Sequence, residues 1–120
     1  LTGEKITTQL ASKALQHLIK DTKRALTIDV VQKTVATFFN ITTADLKSAV
    51  KKKIVTYPRQ IAIYLGRKHI GLSTPSLGES FGGRDHSTVI HAIRKIEKKL
   101  KDDRNLSHTI ESIERHLHGQ

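Results

Sequence analysis

Residues 81–96 read FGGRDHSTVIHAIRKI, in which a glycine turn is followed by the pattern of an amphipathic helix. The two glycines favour a tight turn, and Asp85 is a good helix N-cap. Val89, Ile93 and Ile96 recur at the spacing of one helical face, which predicts that this face packs in a core. The stretch therefore predicts a turn and then a helix that is anchored along one side.

The opposite face of this helix carries small polar or basic side chains rather than the Glu/Lys mixture of an ordinary solvated surface. These are Ser87, Thr88, His91, Ala92 and Lys95. Upstream, Ser73 can cap a short helix over about residues 74–81. A helix, a glycine turn and a second helix form the helix-turn-helix arrangement, in which the second helix enters a groove of DNA.

Composition favours one basic domain with an appendage. The chain has 120 residues, of which 37% are hydrophobic, enough for one modest core. Lysine and arginine number 21 against 11 acidic residues, so the formal net charge is +10. Such an excess favours a polyanionic partner, either nucleic acid or an anionic membrane surface.

Several functional classes find no support in the sequence. The chain has no cysteine, which excludes a disulfide framework and a cysteine-based zinc site. The histidine pairs 86/91 and 116/118 lack the spacing of a helical zinc site, so no metal is predicted. No phosphate-binding glycine loop is present, and consecutive helical residues such as Asp85, His86 and Ser87 do not face one another. We therefore expect a chain that is not an enzyme.

The sequence also carries no apolar run of about 20 residues and no signal peptide, which predicts a cytoplasmic protein. Association with the nucleoid is expected if its polyanionic partner is DNA. Residue 1 is Leu rather than Met, so we expect a piece of a longer protein. Residues 7–20 predict an amphipathic helix. Thr27 is expected to cap the next helix, Asn40 to end it, and Thr42 or Thr43 to cap a short one.

Two further helices are predicted toward the C-terminus. One is expected to start at Pro58, whose ring suits a first turn, and to end at Gly71. The other is expected to begin with Ser107 as its cap and to pack through Ile110 and Ile113. No stretch predicts a strand.

The string at residues 81–96 resembles the signature of the DnaA family of bacterial chromosomal replication initiators. The resemblance extends to YPRQIAIYL at residues 57–65 and to IDVVQKTVA at residues 28–36. It implies an all-α fold, a helical bundle containing a helix-turn-helix and preceded by a connector helix. Residues 1–26 would be the tail of an ATPase lid with the connector helix, and residues 27–120 the helix-turn-helix DNA-binding domain.

By this resemblance the domain would bind double-stranded DNA at short asymmetric boxes of the TTATNCACA type at the replication origin. The second helix would lie in the major groove, and a basic loop would lie at the minor groove or backbone. ATP is implied for a full-length protein of this family, but no cofactor for this stretch. The domain alone is expected to be a monomer, with cooperative assembly in the full-length protein, and the family's connector implies acidic phospholipids as a further partner.

Candidate site residues divide by the chemistry of DNA recognition. For base edges the candidates lie at the start of the second helix: Asp85, His86, Ser87, Thr88 and Ala92. For the backbone or minor groove they are basic or amide side chains: Lys51, Lys53, Arg59, Gln60, Arg67, Lys68 and Arg84. Lys51 stands where the family's basic loop has Arg, and Ser87 stands where many members have Thr.

The sequence is also compatible with functions of other kinds. A helix-turn-helix transcription regulator would share the fold but have other DNA targets. The basic amphipathic stretch near the N-terminus is compatible with a module that binds anionic membrane surfaces. A further alternative is a protein that coats RNA or DNA non-specifically. Coating by base stacking is disfavoured, because it needs exposed rings and only 4% of the residues are aromatic.

Overall fold

A computed structural model describes residues 26–119. The predicted helix at residues 7–20 and the lid and connector assignment for residues 1–26 fall almost wholly outside this range. The described part of the chain is helical without strands, which confirms the all-α prediction. Its helices are α1 (Ile28–Phe39), α2 (Thr43–Lys47), α3 (Lys53–Ile70), α4 (Thr74–Ser80), α5 (His86–Leu100) and α6 (Arg104–Leu117).

The first two helices begin and end where the sequence indicates. The Thr27 hydroxyl accepts a hydrogen bond from the Val30 N–H at 3.3 Å, and α1 ends at Asn40, which has a φ of 57°. Thr42, one of the two predicted caps, forms a reciprocal capping box with Asp45, with both bonds at 3.0 Å. Side-chain caps satisfy backbone N–H groups that have no partner within the helix, and they fix where each helix starts.

The start of α3 was predicted incorrectly. The helix begins at Lys53, more than a turn before Pro58, which lies inside it. Proline in that position removes one backbone hydrogen bond near the helix start. Val55 and Pro58 are both buried, so tertiary packing stabilises the extra turn that local preference disfavours.

The start of α6 was also predicted incorrectly. Asp103, not Ser107, caps this helix by accepting a hydrogen bond from the Leu106 N–H at 3.0 Å. Leu106 is buried and extends the apolar face of the helix by one turn. The predicted inward residues Ile110 and Ile113 are buried as expected.

Helix α3 is the centre of the bundle. It packs against α1, α2, α4 and α5, and its residues 61–63 are all buried, so more than one of its faces is covered. Helices α4 and α5 form the predicted helix-turn-helix, with α4 capped by Ser73 and α5 capped by Asp85. The turn between them is held against the rest of the bundle by Phe81, which is fully buried.

Glycines permit two close backbone contacts, one from within α4 and one from the turn that follows it. A Cβ atom at Gly78 would lie 2.0 Å from the Arg84 carbonyl oxygen. Gly82 has a φ of +88°, and a Cβ atom there would lie 2.1 Å from the carbonyl oxygen of Lys47. Such distances are far below van der Waals contact, so only glycine fits at either position. The turn that starts α5 is thereby placed directly against the end of α2.

Candidate nucleic-acid interface

One open groove brings together segments that are distant in the sequence. It has a volume of about 520 Å³. Its walls are the start of α5, the N-terminal half of α3, and the segment of residues 47–53, here called the basic segment. Polar and basic side chains that line it include Lys47, Ser48, Lys51, Gln60, Arg84, Thr88 and His91.

The start of α5 presents four consecutive polar side chains, Asp85 to Thr88, all of them exposed. Asp85 Oδ1 accepts a hydrogen bond from the Thr88 N–H at 2.9 Å. This bond, with a further one from the Thr88 side chain, lowers the pKa of the Asp85 carboxyl group. A carboxylate has additional acceptor positions, so Asp85 can cap the helix and still accept a hydrogen bond from a ligand.

The next turn of α5 continues the same surface. Ala92 lines the groove but is only 4% exposed, so its methyl group forms part of the groove floor. His91 is exposed and also lines the groove, although it was not among the residues predicted to contact bases. Helical periodicity could have identified it, because His91 lies one turn beyond Ser87 and Thr88 on the same face.

The basic segment supplies the positive wall. Lys51 is exposed and lines the groove together with Gln60 of α3. Lys53, the first residue of α3, is exposed beside the groove but is not part of its lining. Lys47 was not predicted as a site residue, yet it is exposed and lines the groove from the end of α2.

Arg59 is hydrogen-bonded to the chain itself. It is only 5% exposed, and its guanidinium group donates hydrogen bonds to carbonyl oxygens of the chain itself. The acceptors, at 2.8–3.1 Å, are the carbonyl oxygens of Asp45, Leu46, Ser48 and Val50. Burial, and secondarily the nearby charge of Arg84, lowers the pKa of Arg59. With four hydrogen bonds to these carbonyl oxygens, Arg59 holds the basic segment in place, and its contact with the DNA backbone stays a prediction.

Arg84 lies between the turn and the basic segment. It is partly buried, and its guanidinium donates to the Phe81 carbonyl oxygen and, at 2.6 Å, to the Ser48 carbonyl oxygen. Burial lowers the pKa of Arg84. This side chain lines the groove and also connects the turn before α5 to the segment after α2.

The two remaining predicted cations lie at the other end of α3 and do not line the groove. Arg67 donates to the Leu72 carbonyl oxygen at 2.7 Å. Lys68 Nζ lies 2.7 Å from Glu114 Oε2, and this bond raises the pKa of Lys68. His69 Nε2 lies 2.7 Å from the same oxygen atom. Sequence alone does not separate these cations from those of the groove.

Between residues 26 and 119, no three histidine or acidic side chains come close enough together to hold a metal ion. Over the same residues, no helix combines the length and the apolar character needed to cross a bilayer.

Comparisons with known proteins identify relatives of this chain. Residues 28–96 match a family described as the bacterial DnaA protein helix-turn-helix. Over 117 residues the chain is 45% identical to the chromosomal replication initiator protein DnaA of Geobacter metallireducens. It is 43% identical over 117 residues to the protein of that name from Citrifermentans bemidjiense. Each alignment covers 98% of this chain and 26% of the relative, so the chain spans about a quarter of their length.

A similar fold is found in a solved structure, described as the crystal structure of a DNA replication initiation factor. The TM-score is 0.67 at 28% sequence identity, and the match covers 88% of this chain and 32% of the other.

Proposed function

Because this chain belongs to the bacterial DnaA helix-turn-helix family, we propose that residues 27–120 bind double-stranded DNA sequence-specifically, at boxes in the chromosomal replication origin. Helix α5 would lie in the major groove, while the basic segment contacts the backbone or the minor groove. The observation that supports this proposal best is the groove itself, which is lined by Thr88 of α5 together with Lys47 and Lys51 of the basic segment. Asp85, His86 and Ser87 are exposed next to Thr88 but do not line the groove. Residues 1–26 would connect this domain to an ATPase.

The start of α5 offers the groups needed to read base edges. Asp85 can accept a hydrogen bond from a cytosine amino group, and His86 and Ser87 can donate or accept. The methyl groups of Thr88 and Ala92 can contact a thymine methyl group. All but Ala92 are exposed, and Ala92 is at the groove floor, where a flat base edge could reach it.

The basic segment offers contacts that fix the position of the protein without reading sequence. Lys51 and Lys53 provide mobile positive charges, and Gln60 provides an amide donor. Lysine carries a compact, strongly hydrated charge, so Lys51 suits phosphates better than a narrow minor groove. The net charge of +10 would strengthen this attraction over a longer range.

Fluorescence anisotropy at one fixed salt concentration tests the proposal. The chain is titrated with a duplex carrying the TTATNCACA box and with a scrambled duplex of equal composition. A specific domain prefers its site by at least ~10³-fold. His86→Ala should reduce this preference by about ten- to a hundredfold, because one base-reading contact is worth about 1–3 kcal/mol.

His108→Ala is the matched control, since His108 is likewise exposed but lies on α6, outside both α5 and the basic segment. This control should bind the box as the unaltered chain does. Equal affinity for the box and the scrambled duplex would contradict the proposal and leave a binder driven by charge alone. A strong preference for a different sequence would instead support a helix-turn-helix transcription regulator.

A further inference from the structure

We propose that Arg84 is a positioning residue that couples the basic segment to the recognition helix, so that contacts of Lys51 with DNA depend on the Arg84 hydrogen bonds. The inference rests on the proposed DNA binding and concerns how the two halves of the groove are held in register. It gives Arg84 a role distinct from a direct contact with phosphate.

The basic segment has little secondary structure of its own. Residues 48–52 lie between α2 and α3, and Val50, Lys51 and Lys52 are all exposed. Side-chain donors therefore contribute much of what holds this part of the backbone. Arg59 of α3 donates to the Ser48 and Val50 carbonyl oxygens, through Nη2 at 2.9 Å and Nη1 at 3.1 Å. Fixing such a segment before binding lowers the entropy that DNA binding must overcome.

Arg84 reaches the same backbone from the turn that precedes α5. Its Nη2 lies 2.6 Å from the Ser48 carbonyl oxygen, which Arg59 also binds. Its Nη1 donates to the Phe81 carbonyl oxygen within the turn. Arg84 also directly precedes Asp85, the N-cap of α5. One planar guanidinium group thus bonds both to the turn that starts the recognition helix and to the segment that carries Lys51.

A second contact also holds the turn before α5 against the end of α2. The close approach of Gly82 to the Lys47 carbonyl oxygen sets the turn against the end of α2. That contact fixes distance but provides no hydrogen bond to the residues after Lys47. Arg84 supplies this bond, and lysine at position 84 would keep the charge but lose the fork that binds two acceptors.

A double-mutant cycle tests the coupling. Affinity for the box duplex is measured for the unaltered chain, Arg84→Lys, Lys51→Ala and the double variant. In the unaltered chain, Lys51→Ala should weaken binding about fivefold, whereas in the Arg84→Lys background it should weaken binding less than about twofold. Backbone amides of residues 48–52 should also exchange hydrogen faster in free Arg84→Lys, because the bond to the Ser48 carbonyl is removed.

Controls separate positioning from general damage. His91→Ala should cost the same in both backgrounds, because His91 lines the groove from the second turn of α5, away from the N-cap that follows Arg84. Circular dichroism checks that each variant is folded, and Arg84→Gln serves as a second variant if Arg84→Lys is not. Additive effects of Arg84→Lys and Lys51→Ala, or unchanged exchange at residues 48–52, would overturn the inference. If the unaltered chain does not prefer the box, the proposed function fails, but the same cycle on the scrambled duplex still decides the coupling.

Discussion

The two ends of helix α3 carry similar positive charge but use it differently. Near its N-terminal end, Lys51 and Lys53 are exposed, and Lys51 lines the groove. At its C-terminal end, Lys68 pairs with Glu114, and Arg67 donates to the Leu72 carbonyl oxygen. In the sequence both ends look like basic patches. In the structure, the cations at the C-terminal end bond to other groups of the same chain.

The difference shows that partner groups decide whether a cation is available to a ligand. A lysine that pairs with a carboxylate must break that pair to neutralise a phosphate, which reduces the gain from binding DNA. Arg59 is a further example, since it lines the groove but most of its N–H donors bond to carbonyl oxygens of the chain. Charge near a site contributes to recognition only where the fold leaves it unengaged.

The largest expected loss of stability comes from the contact between the turn before α5 and the end of α2. Gly82→Ala should destabilise the domain by about 4 kcal/mol, because a Cβ atom would overlap the Lys47 carbonyl oxygen and the φ of +88° is unfavourable for alanine. Gly83→Ala is the matched control. Gly83 has a φ of +81° but nothing within 4 Å of a Cβ atom, so it should cost only about 1 kcal/mol. Urea denaturation measures both, and equal losses would show that the close contact is unimportant.

Arg59, in the N-terminal half of α3, and Arg67, near its C-terminal end, should differ in how much they stabilise the fold. Arg59→Met should reduce the free energy of unfolding by about 2–3 kcal/mol, because it leaves several carbonyl oxygens without donors. Arg67→Met should cost less than about 0.5 kcal/mol, because Arg67 is exposed and makes one bond, to Leu72. Thermal denaturation of both variants checks the difference. A small loss for Arg59→Met would show that Arg59 is not needed to hold the basic segment.

Much of the fold could be predicted because local signals agree with tertiary packing. Thr27, Thr42, Ser73 and Asp85 cap helices in the structure as their side-chain chemistry indicates. Gly82 and Gly83 predicted a tight turn, and in the structure this turn joins the two helices of the helix-turn-helix. Where packing overrides local preference, prediction was wrong: the start of α3 precedes Pro58 because buried residues extend the helix.

The candidate site was less predictable than the fold. Asp85 to Thr88 are exposed because they begin a helix whose opposite face is buried, a pattern that is visible in the sequence. The role of Arg59 depends on carbonyl oxygens up to 14 residues earlier in the chain, and Lys68 depends on Glu114, 46 residues later. No local pattern indicates such partners, so a basic residue that contacts its own chain looks the same as one that contacts DNA.

A smaller effect is expected from the acidic partner at the C-terminal end of α3. Burial alone would raise the pKa of Glu114, but hydrogen bonds from Lys68 and His69 outweigh it and lower the pKa. The carboxylate therefore stabilises the fold above its ordinary pKa of 4.5, and this contribution disappears as pH falls through the lowered value in the folded state. Glu114→Gln should cost about 1 kcal/mol at neutral pH.

Urea denaturation of the unaltered chain and Glu114→Gln across acidic and neutral pH measures this contribution. The difference between the two proteins should shrink as pH falls below the ordinary carboxyl value. The neighbouring Glu111→Gln is the control, since Glu111 is exposed on the same helix. A stability difference that does not change with pH would contradict the ion-pair explanation.

The smallest expected effect is on the salt dependence of DNA affinity, and it compares one lysine from each end of α3 directly. Removing one side chain that neutralises a phosphate should reduce the slope of log affinity against log salt concentration by about one. Lys51→Gln should show this reduction, because Lys51 is exposed and lines the groove. Lys68→Gln should leave the slope unchanged, because Lys68 pairs with Glu114 away from the groove. Both variants remove one charge, so any effect of net charge alone is the same for the two. Equal changes in slope would show that the positive field of the whole domain, rather than the position of each lysine, governs binding to DNA.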